Sequence, residues 1–287
     1  RFLKMPVVSY AIPALVAIGQ ARYFHKKPLN PFLRLIRWLS VKKSLRVLKR
    51  MQPESGGYLE AIPLTSFVVM SLASTGRADH AVSCNGIRFI VESVRSDGSW
   101  PIDTNLATWN TSLSINALSH CPNGLKDVDC TDWLLRCQHK SRHPFTGAEP
   151  GGWGWSDLSG AVPDCDDTPG ALIALRKITD SLDLSNEQML AIEDSVSLGI
   201  RWMLRLQNRD KGWPTFCRGW GKLPFDRSGS DLTAHVLRAL AAWQTKVPKK
   251  SLNGAVKSGF EYLDNTQMND GSWLPLWFGN QDHPHEE

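Results

Sequence analysis

LQNRDKGW, residues 206–213, ends a helical apolar pattern with a glutamine, a polar turn and a tryptophan. Four other stretches have a similar form, with a helical run, a glycine-bearing polar turn and then an aromatic residue. They end at Tyr58, Trp100, Trp153 and Trp273. Successive aromatic residues of this kind are 42 to 60 residues apart. Repeats of this length, with no alternating strand pattern between them, predict stacked pairs of helices.

A second helical run follows each of the first four aromatic residues, and these runs align by their last leucine. The alignment places one threonine of each run in the same column, namely Thr65, Thr111, Thr168 and Thr233. Threonine is a common helix N-cap, so we expect these residues to cap the second helices, with Pro169 at a first helical position. The column marks one end of the helix array, where a curved array would have its pocket.

The composition excludes several classes of protein. Apolar residues make up 42% of the 287 residues, which is typical of a globular chain. The six cysteines form no C-x-x-C pair, which argues against a zinc site or a disulfide framework. No apolar run reaches the roughly 18 residues that a membrane-spanning helix needs.

Positive charge is concentrated near the N-terminus. Nine lysine or arginine residues lie between Lys26 and Arg50 without any acidic residue, although the whole chain carries only +5. Apolar residues recur at helical spacing from Phe32 to Met51 and change phase near Ser40, which predicts two short amphipathic helices. Such helices can lie in a membrane interface, or can cover a core with a solvated basic face. Because the remaining charge is acidic, we do not expect nucleic-acid binding.

The stretch PDCDDT, residues 163–168, places Asp164, Asp166 and Asp167 directly before one of the second helices. It could be a metal cluster, a phosphatase nucleophile, a proton donor or an acidic turn without function. A calcium loop would need a glycine and a later carboxylate that are absent. The phosphatase motif would need a preceding buried strand, and the metal-binding DDxxD motif of ionisation-dependent terpene synthases is broken. A proton donor and an acidic turn are the alternatives that remain.

A proton donor fits this position best. Neighbouring carboxylates keep one member of the cluster protonated, and a helix N-terminus stabilises the carboxylate that forms when the proton leaves. His235 is a candidate partner because it lies one helical turn after Asp231, the counterpart of Asp166 in the next repeat. A carbocation formed beside the acid would need aromatic faces around it. The aromatic candidates near this end of the array are Trp109, Trp155 and Trp277.

PDCDDT before a helix, the Q-x-x-x-G-x-W turns and the segment SDLTAHVL together resemble the squalene–hopene cyclases, which are class II terpene cyclases. The resemblance is clearest from Gln52 to Trp277. It implies an all-α fold, an α/α toroid of the α6/α6-barrel type built from helix pairs with glutamine–tryptophan turns, here as an incomplete ring. It further implies N-terminal helices over residues 1–51, with a basic and membrane-associated segment, and a catalytic repeat domain over residues 52–287, truncated at its C-terminus.

The resemblance also implies a reaction, the protonation-initiated cyclisation of squalene or a similar linear isoprenoid in hopanoid or triterpenoid biosynthesis. Asp166 would donate the proton. The residues around it would be Asp164, Asp167, His235 and Asp231. The substrate-binding residues would be Trp109, Trp155, Trp277, Tyr10 and Phe67. The resemblance implies no metal and no cofactor, monotopic or peripheral attachment at the cytoplasmic face of a membrane, and leaves room for a homodimer.

Four positions depart from the family pattern. Asn110 stands where the family has an aspartate, Ile62 where it has a polar residue, and Ala161 and Val162 where it has tyrosines. Two alternatives to a squalene–hopene-type cyclase therefore stay open. One is a related class II cyclase that acts on a shorter prenyl substrate. The other is a catalytically silent helical-repeat protein that binds an isoprenoid or a membrane.

Overall fold

The computed structural model describes residues 12–102, 105–143, 146–215, 226–246 and 249–276. In these ranges the chain forms ten α-helices, two short 3₁₀-helices (Tyr58–Glu60 and Gln244–Lys246) and one two-stranded antiparallel sheet. The helices are α1 (Ile12–His25), α2 (Pro31–Met51), α3 (Ile62–Ala73), α4 (Ala81–Glu92), α5 (Ala107–Leu118), α6 (Thr131–Arg136), α7 (Asp167–Ser181), α8 (Asn186–Leu206), α9 (Ser230–Ala242) and α10 (Lys249–Thr266). The strands are β1 (Trp213–Pro214) and β2 (Ser228–Gly229). The predicted all-α class is confirmed.

The helices form successive pairs, in which a first helix leads through an aromatic turn into a second helix. The second helices lie side by side, because α5 contacts α7 and α7 contacts α9, and α1 contacts α3 in the same way. The first helices cover them, with α4 packed on α3, α6 and α8 on α7, and α10 on α9. The predicted stack of helix pairs, the α/α architecture, is therefore present.

All five aromatic turns share one backbone conformation. The residue two positions before the aromatic residue has a positive φ in each turn, at Gly56 (89°), Gly98 (80°), Gly151 (123°), Lys211 (81°) and Gly271 (89°). A Cβ atom is unfavourable in this left-handed region, which explains why four of the five residues are glycine. Lys211 is the exception and carries the strain.

A glutamine side chain binds the turns to their neighbours. Nε2 of Gln138 donates to the carbonyl of Gly151 in its own turn at 2.8 Å and to the carbonyl of Ser195 in α8 at 2.8 Å. Equivalent pairs of contacts join Gln52 to Gly56 and Val82, and Gln207 to Lys211 and Ala255. Each of these glutamines therefore connects its own turn with the first helix of the next pair.

The aromatic residues of the turns are structural, as the repeat predicts. The Trp213 indole N–H donates to the Met203 carbonyl at 2.9 Å, and the Trp213 backbone N–H donates to Oγ1 of Thr233 at 3.0 Å. Equivalent pairs of contacts join Trp153 to Leu134 and Thr168, and Tyr58 to Leu48 and Thr65. The ring thus holds the first helix of a pair while the backbone holds the second.

The threonines of the second helices are not N-caps, so that prediction is wrong. Thr65 and Thr233 are the fourth residues of their helices, Thr168 is the second residue of α7, and Pro169 is its third. The N-cap positions are occupied by Ala61, Leu106, Asp166 and Gly229. The hydroxyls of Thr65, Thr168 and Thr233 accept the backbone N–H of the turn aromatic instead. A tertiary contact has taken the group that the local capping rule assigned to the helix end.

The helix α2 is continuous, so the prediction of two short helices is also wrong. Asn30 caps it by accepting from the backbone N–H groups of Phe32 and Leu33, and Leu48 is its one buried residue. The apolar positions change phase without breaking the helix because hardly any of them packs in a core. No helix in the described ranges is long and apolar enough to cross a membrane.

The buried apolar residues form two clusters. One cluster joins helices α1 to α4 and contains Ala14, Ala17, Leu48, Tyr58, Val68, Leu72 and Val82. The other cluster joins helices α5 to α10. The two clusters therefore separate between α4 and α5, whereas the domain boundary predicted at residue 51 stays a prediction.

Candidate active site

The aspartate segment leads directly into α7, as the sequence predicts. Asp166 is the N-cap of α7 and Asp167 is its first residue. The Asp164 backbone N–H donates to the Trp153 carbonyl at 3.0 Å, and the Cys165 N–H donates to the Thr215 carbonyl at 2.7 Å. The segment is therefore held between the third and the fourth aromatic turns.

Asp164 caps the helix with its side chain. Its Oδ1 accepts from the backbone N–H of Asp166 at 2.9 Å and of Asp167 at 2.7 Å, so it satisfies donors that a helix N-terminus leaves open. Asp164 is 2% exposed. Burial raises the pKa of Asp164 well above its usual range, and the negative charge of Asp167 raises it further. Asp164 therefore favours the protonated state.

The environment of the other two carboxyl groups also favours their protonated forms. Burial raises the pKa of Asp167 to about 7, although a hydrogen bond with the Asp164 carboxyl opposes this. Burial raises the pKa of Asp166 as well, and the negative charge of Asp231 adds to that effect. Asp166 is the least buried of the three. Its carboxyl makes no hydrogen bond or ion pair with any residue the structure describes.

His235 approaches Asp166 through the backbone. The ring packs against α7, where a Cβ on Gly170 would lie 3.6 Å from Nε2, and it hydrogen-bonds the Asp166 carbonyl. Burial lowers the pKa of His235 to about 4, so the ring is neutral at pH 7. Within the described ranges no ion pair joins it to a carboxylate. The expected pairing of His235 with the Asp166 carboxyl stays a prediction, and the contact that the structure gives is with the Asp166 backbone.

Asp231, the predicted member of the acidic network, lies exposed in the first turn of α9. Its charge acts on Asp166, whose pKa it raises. The structure therefore brings together four aspartates and one histidine from two neighbouring second helices, α7 and α9, and from the segment before α7.

The predicted aromatic residues are brought together only in part. The Trp155 carbonyl accepts from the backbone N–H groups of Thr108 at 3.1 Å and Trp109 at 3.3 Å, at the start of α5. Trp109 and Trp155 therefore adjoin, and Trp109 is 39% exposed. Phe67 is half-exposed on α3, which belongs to the other hydrophobic cluster. Trp277 and Tyr10 lie outside the described residues.

Glu60 is a fully buried acid in the first aromatic turn that no sequence motif indicates. Its Oε1 accepts from the Ser55 hydroxyl at 2.9 Å and from the Gly160 N–H at 2.7 Å. Burial raises its pKa to about 7. An acid between Leu59 and Ala61 is a weak signal of burial, and nothing in the sequence indicates a partner 100 residues away.

Comparisons with known proteins point to one family. The family model described as the squalene-hopene cyclase C-terminal domain matches residues 105–281. Enfumafungin synthase from Hormonema carpetanum is 27% identical over 278 residues, covering 86% of this chain and 20% of that protein. Sporulenol synthase from Bacillus subtilis is 28% identical over 231 residues, covering 73% of this chain and 32% of that protein. The chain thus spans about a fifth to a third of the length of these relatives.

A likeness to a solved structure is weaker. The type II terpene cyclase MstE from Scytonema is 15% identical, covering 92% of this chain and 70% of that one, with a TM-score of 0.37. That score is too low to support an argument about this chain. The family model, in contrast, covers more than half of the chain and includes the aspartate segment, α7 and α9. The chain therefore belongs to the family of the squalene–hopene cyclase C-terminal domain, a family of terpene cyclases.

Proposed function

We propose that this chain carries the protonation site of a class II terpene cyclase that acts on squalene or a similar linear isoprenoid. The observation that carries the proposal is the set of three carboxyl groups at the N-terminus of α7, all with raised pKa values. A raised pKa favours the protonated form, which is the form that can donate a proton. An acidic turn in solvent would not have this property.

Asp166 is the donor in this proposal. The alkene π electrons form a bond to the proton while the O–H electrons return to the Asp166 carboxyl group, which leaves a carbocation and a carboxylate. Asp166 occupies the N-cap of α7, where the partial positive charge of the helix N-terminus stabilises that carboxylate. Asp164 holds the backbone of the donor. Asp164 and Asp167 both resist ionisation, so they do not neutralise the cation prematurely.

Two other groups support the donor. The neutral ring of His235 holds the Asp166 carbonyl and thereby orients the residue. The indole rings of Trp109 and Trp155 would offer π faces to a cation near the start of α5. These residues do not determine how the reaction ends, because a later cation would lose a proton or gain water elsewhere along the substrate.

The test is an assay of the purified chain and its Asp166→Asn variant with squalene in detergent, read by gas chromatography and mass spectrometry. We expect a cyclised product from the parent and a loss of at least about a hundredfold in the variant. The matched control is Asp180→Asn, because Asp180 lies at the exposed end of the same helix and pairs with Arg176. Equal turnover by the parent and Asp166→Asn would remove Asp166 as the donor.

Two alternative functions stay open. One is cyclisation of a shorter prenyl substrate, and the other is binding of an isoprenoid without catalysis. Asn110 favours the silent protein, since it stands beside Trp109 where the family has a carboxylate. The same assay with geranylgeranyl diphosphate tests the shorter substrate. If no substrate is converted, titration of tryptophan fluorescence with squalene distinguishes a silent binder from a protein that does not bind isoprenoids.

We also propose that α2 attaches the protein to the cytoplasmic face of a membrane, from which an insoluble substrate would be taken. The apolar side of α2 is exposed, with Phe32 69%, Trp38 63% and Leu39 56% accessible. Between α1 and α2 lies a cavity of about 400 Å³. Its lining includes the aromatic residues Tyr23, Phe24 and Trp38 and the cations Lys27, Lys42 and Arg77. Apolar and basic groups on one face suit an interface with anionic lipid.

Liposome flotation tests this attachment. Glutamine substitutions at five cations of α2 should weaken binding to vesicles of phosphatidylserine and phosphatidylcholine. They are Lys42, Lys43, Arg46, Lys49 and Arg50. A control with the same charge loss on other exposed positions should bind as the parent does. Its positions are Arg88, Lys140, Arg201, Arg205 and Arg209. Equally weakened binding of both variants would assign the attachment to total charge rather than to α2.

A further inference from the structure

Glu60 is held in an unfavourable backbone conformation far from the aspartate cluster. It follows Leu59 at the end of the first aromatic turn, and both residues have a positive φ, of 55° and 57°. Such a conformation costs on the order of 1 kcal/mol or more for a residue with a Cβ, so the surroundings must hold it in place. The side chain is completely buried, which is rare for an acid.

The contact that holds Glu60 is made with the segment that leads into the aspartates. Its Oε1 accepts the Gly160 N–H at 2.7 Å, and Gly160 lies four residues before Asp164. A Cβ on Gly160 would lie 2.2 Å from this oxygen. The absence of a side chain at Gly160 is therefore what allows the segment to approach the first turn so closely.

Other contacts bind the same segment to earlier repeats. The Glu54 N–H donates to the Ser159 hydroxyl at 3.1 Å, and the Asn105 amide donates to Asp157 at 2.8 Å. Beyond these anchors the chain continues through residues 161–163 to Asp164. The Glu60 contact is buried, whereas the Glu54 and Asn105 contacts are exposed. The His143 ring binds the Ala161 backbone one residue further along the segment.

We propose that Glu60 is a positioning residue for the protonation site: by binding the Gly160 N–H it fixes the segment that delivers Asp164 to the N-terminus of α7. Asp164 in turn holds the backbone of Asp166 and Asp167. The inference rests on the proposed function of Asp166 as the proton donor. Glu60 does not itself contact the donor and acts only through the backbone.

The chemistry of Glu60 indicates which substitutes can replace it. Burial raises its pKa to about 7, and the charge of Asp157 adds to this shift. Its Oε2 has no hydrogen-bond partner in the part of the chain that the structure describes. The position therefore requires a neutral acceptor rather than a charge. Glutamine keeps an oxygen that can accept from Ser55 and Gly160, and alanine keeps none.

The experiment compares the full chain with Glu60→Ala, Glu60→Gln and Gly160→Ala, and with Glu92→Gln as an exposed control. Hydrogen exchange of peptides covering residues 156–164 reports on the segment, and steady-state turnover of squalene reports on the acid. We expect Glu60→Ala and Gly160→Ala to speed exchange of this segment and to lower kcat by roughly tenfold to a hundredfold, with little change in KM. Glu60→Gln and Glu92→Gln should behave as the parent does.

A double variant separates positioning from general loss of stability. Glu60→Ala and Gly160→Ala break the same contact, so the combined loss in kcat should equal that of either variant alone. Additive losses would overturn the proposal, and so would a Glu60→Gln variant as impaired as Glu60→Ala. Circular dichroism before each assay confirms that the helices are retained, and Glu60→Gln carries the comparison if Glu60→Ala does not fold.

Failure of the proposed function would look different. If the parent converts no substrate, the protonation role of Asp166 falls, and hydrogen exchange still decides whether Glu60 holds the segment. Faster exchange in Glu60→Ala with parental exchange in Glu60→Gln would uphold the anchoring contact. Unchanged exchange in Glu60→Ala would overturn it whatever the turnover.

Discussion

The second and third aromatic turns have the same backbone but differ in how firmly they are held. In both, the tryptophan ring donates to the preceding first helix, from Trp100 to Ile90 at 2.7 Å and from Trp153 to Leu134 at 2.8 Å. Yet Trp100 is 49% exposed and Trp153 is fully buried. The second turn has Val94 six positions before its ring, where the first, fourth and fifth turns have a glutamine. The longer third turn has Gln138 fifteen positions before its ring.

The fifth turn shows which part of the glutamine contact matters. Gln267 donates to the Gly271 carbonyl of its own turn at 2.8 Å, and Trp273 is nevertheless 41% exposed. Gln138 has a second acceptor in α8, and the Trp153 ring in its turn is buried. The link between successive pairs therefore accompanies burial of the ring. It is present beneath α7, which carries the aspartates, and absent beneath α5.

The largest expected effect on stability is the removal of the buried ring. Trp153→Ala should lower the free energy of unfolding by about 3–5 kcal/mol, because it leaves a cavity and unsatisfied partners. Trp100→Ala should cost less than about 1 kcal/mol, since the ring is half in solvent. Urea unfolding followed by circular dichroism measures both. Equal losses in the two variants would show that the two turns contribute alike.

The second-largest expected effect is a pH dependence of the free energy of unfolding, which comes from Asp167 in the third repeat. Asp167 has its pKa raised from 3.8 to about 7 by burial, so the folded protein keeps a proton that the unfolded chain has released. Its contribution to the free energy of unfolding is complete below pH 3.8 and is lost as the pH rises to 7, by on the order of 4 kcal/mol. Asp167→Asn should reduce the slope of unfolding free energy against pH in this window.

The second turn supplies the control for that pH dependence. Hydrogen bonds from Ser99 lower the pKa of Asp97, so its contribution is present above its unfolded pKa and lost in acid. Asp97→Asn should therefore leave the slope between pH 5 and pH 7, the upper part of the Asp167 window, unchanged. A parent protein whose stability does not vary with pH between 4 and 7 would contradict the assignment to Asp167.

Exchanging the residues at the glutamine position is a more direct test of the link. Gln138→Leu removes the side-chain donor that the carbonyls of Gly151 and Ser195 share and should cost about 2 kcal/mol. Val94→Gln should add a contact to the Gly98 carbonyl and stabilise the second turn by about 0.5–1 kcal/mol. Thermal unfolding of both variants measures the two changes. Destabilisation by Val94→Gln would mean that the second turn cannot accept the amide.

The smallest expected effect concerns the left-handed residue of the turns. Lys211→Gly should remove backbone strain and raise the free energy of unfolding by up to about 1 kcal/mol. The exposed ion pair of Lys211 with Glu261 is lost in the same change and offsets little of this gain. Gly98→Lys in the second turn is the reverse substitution and should destabilise by a similar amount.

The parts of the fold that local patterns determine could be predicted. Glutamine and tryptophan at fixed spacing indicate a turn between two helices, and the helix pairs follow from that. The course of α2 could not be predicted from its apolar positions, because only Leu48 is buried and the pattern does not report a core. The role of Thr168 depends on Trp153, 15 residues earlier, which a capping rule does not consider.

The candidate site was predictable to the same extent. The position of Asp166 before a helix follows from PDCDDT and the helical run after it. The orientation of His235 does not, because the register between α7 and α9 decides that its ring meets the Asp166 carbonyl. Glu60 was missed because its partner, Gly160, becomes a neighbour only when the first and third pairs are assembled.

The separation of the two hydrophobic clusters has a consequence for splitting the protein. A chain divided in the second turn, into residues 1–98 and 99–287, would leave each cluster intact in one piece. The two pieces would meet again through a polar seam, with Glu60 against Gly160 as its buried member. Because Glu60 enters that seam more readily without charge, complementation between the pieces should strengthen as the pH falls below about 7.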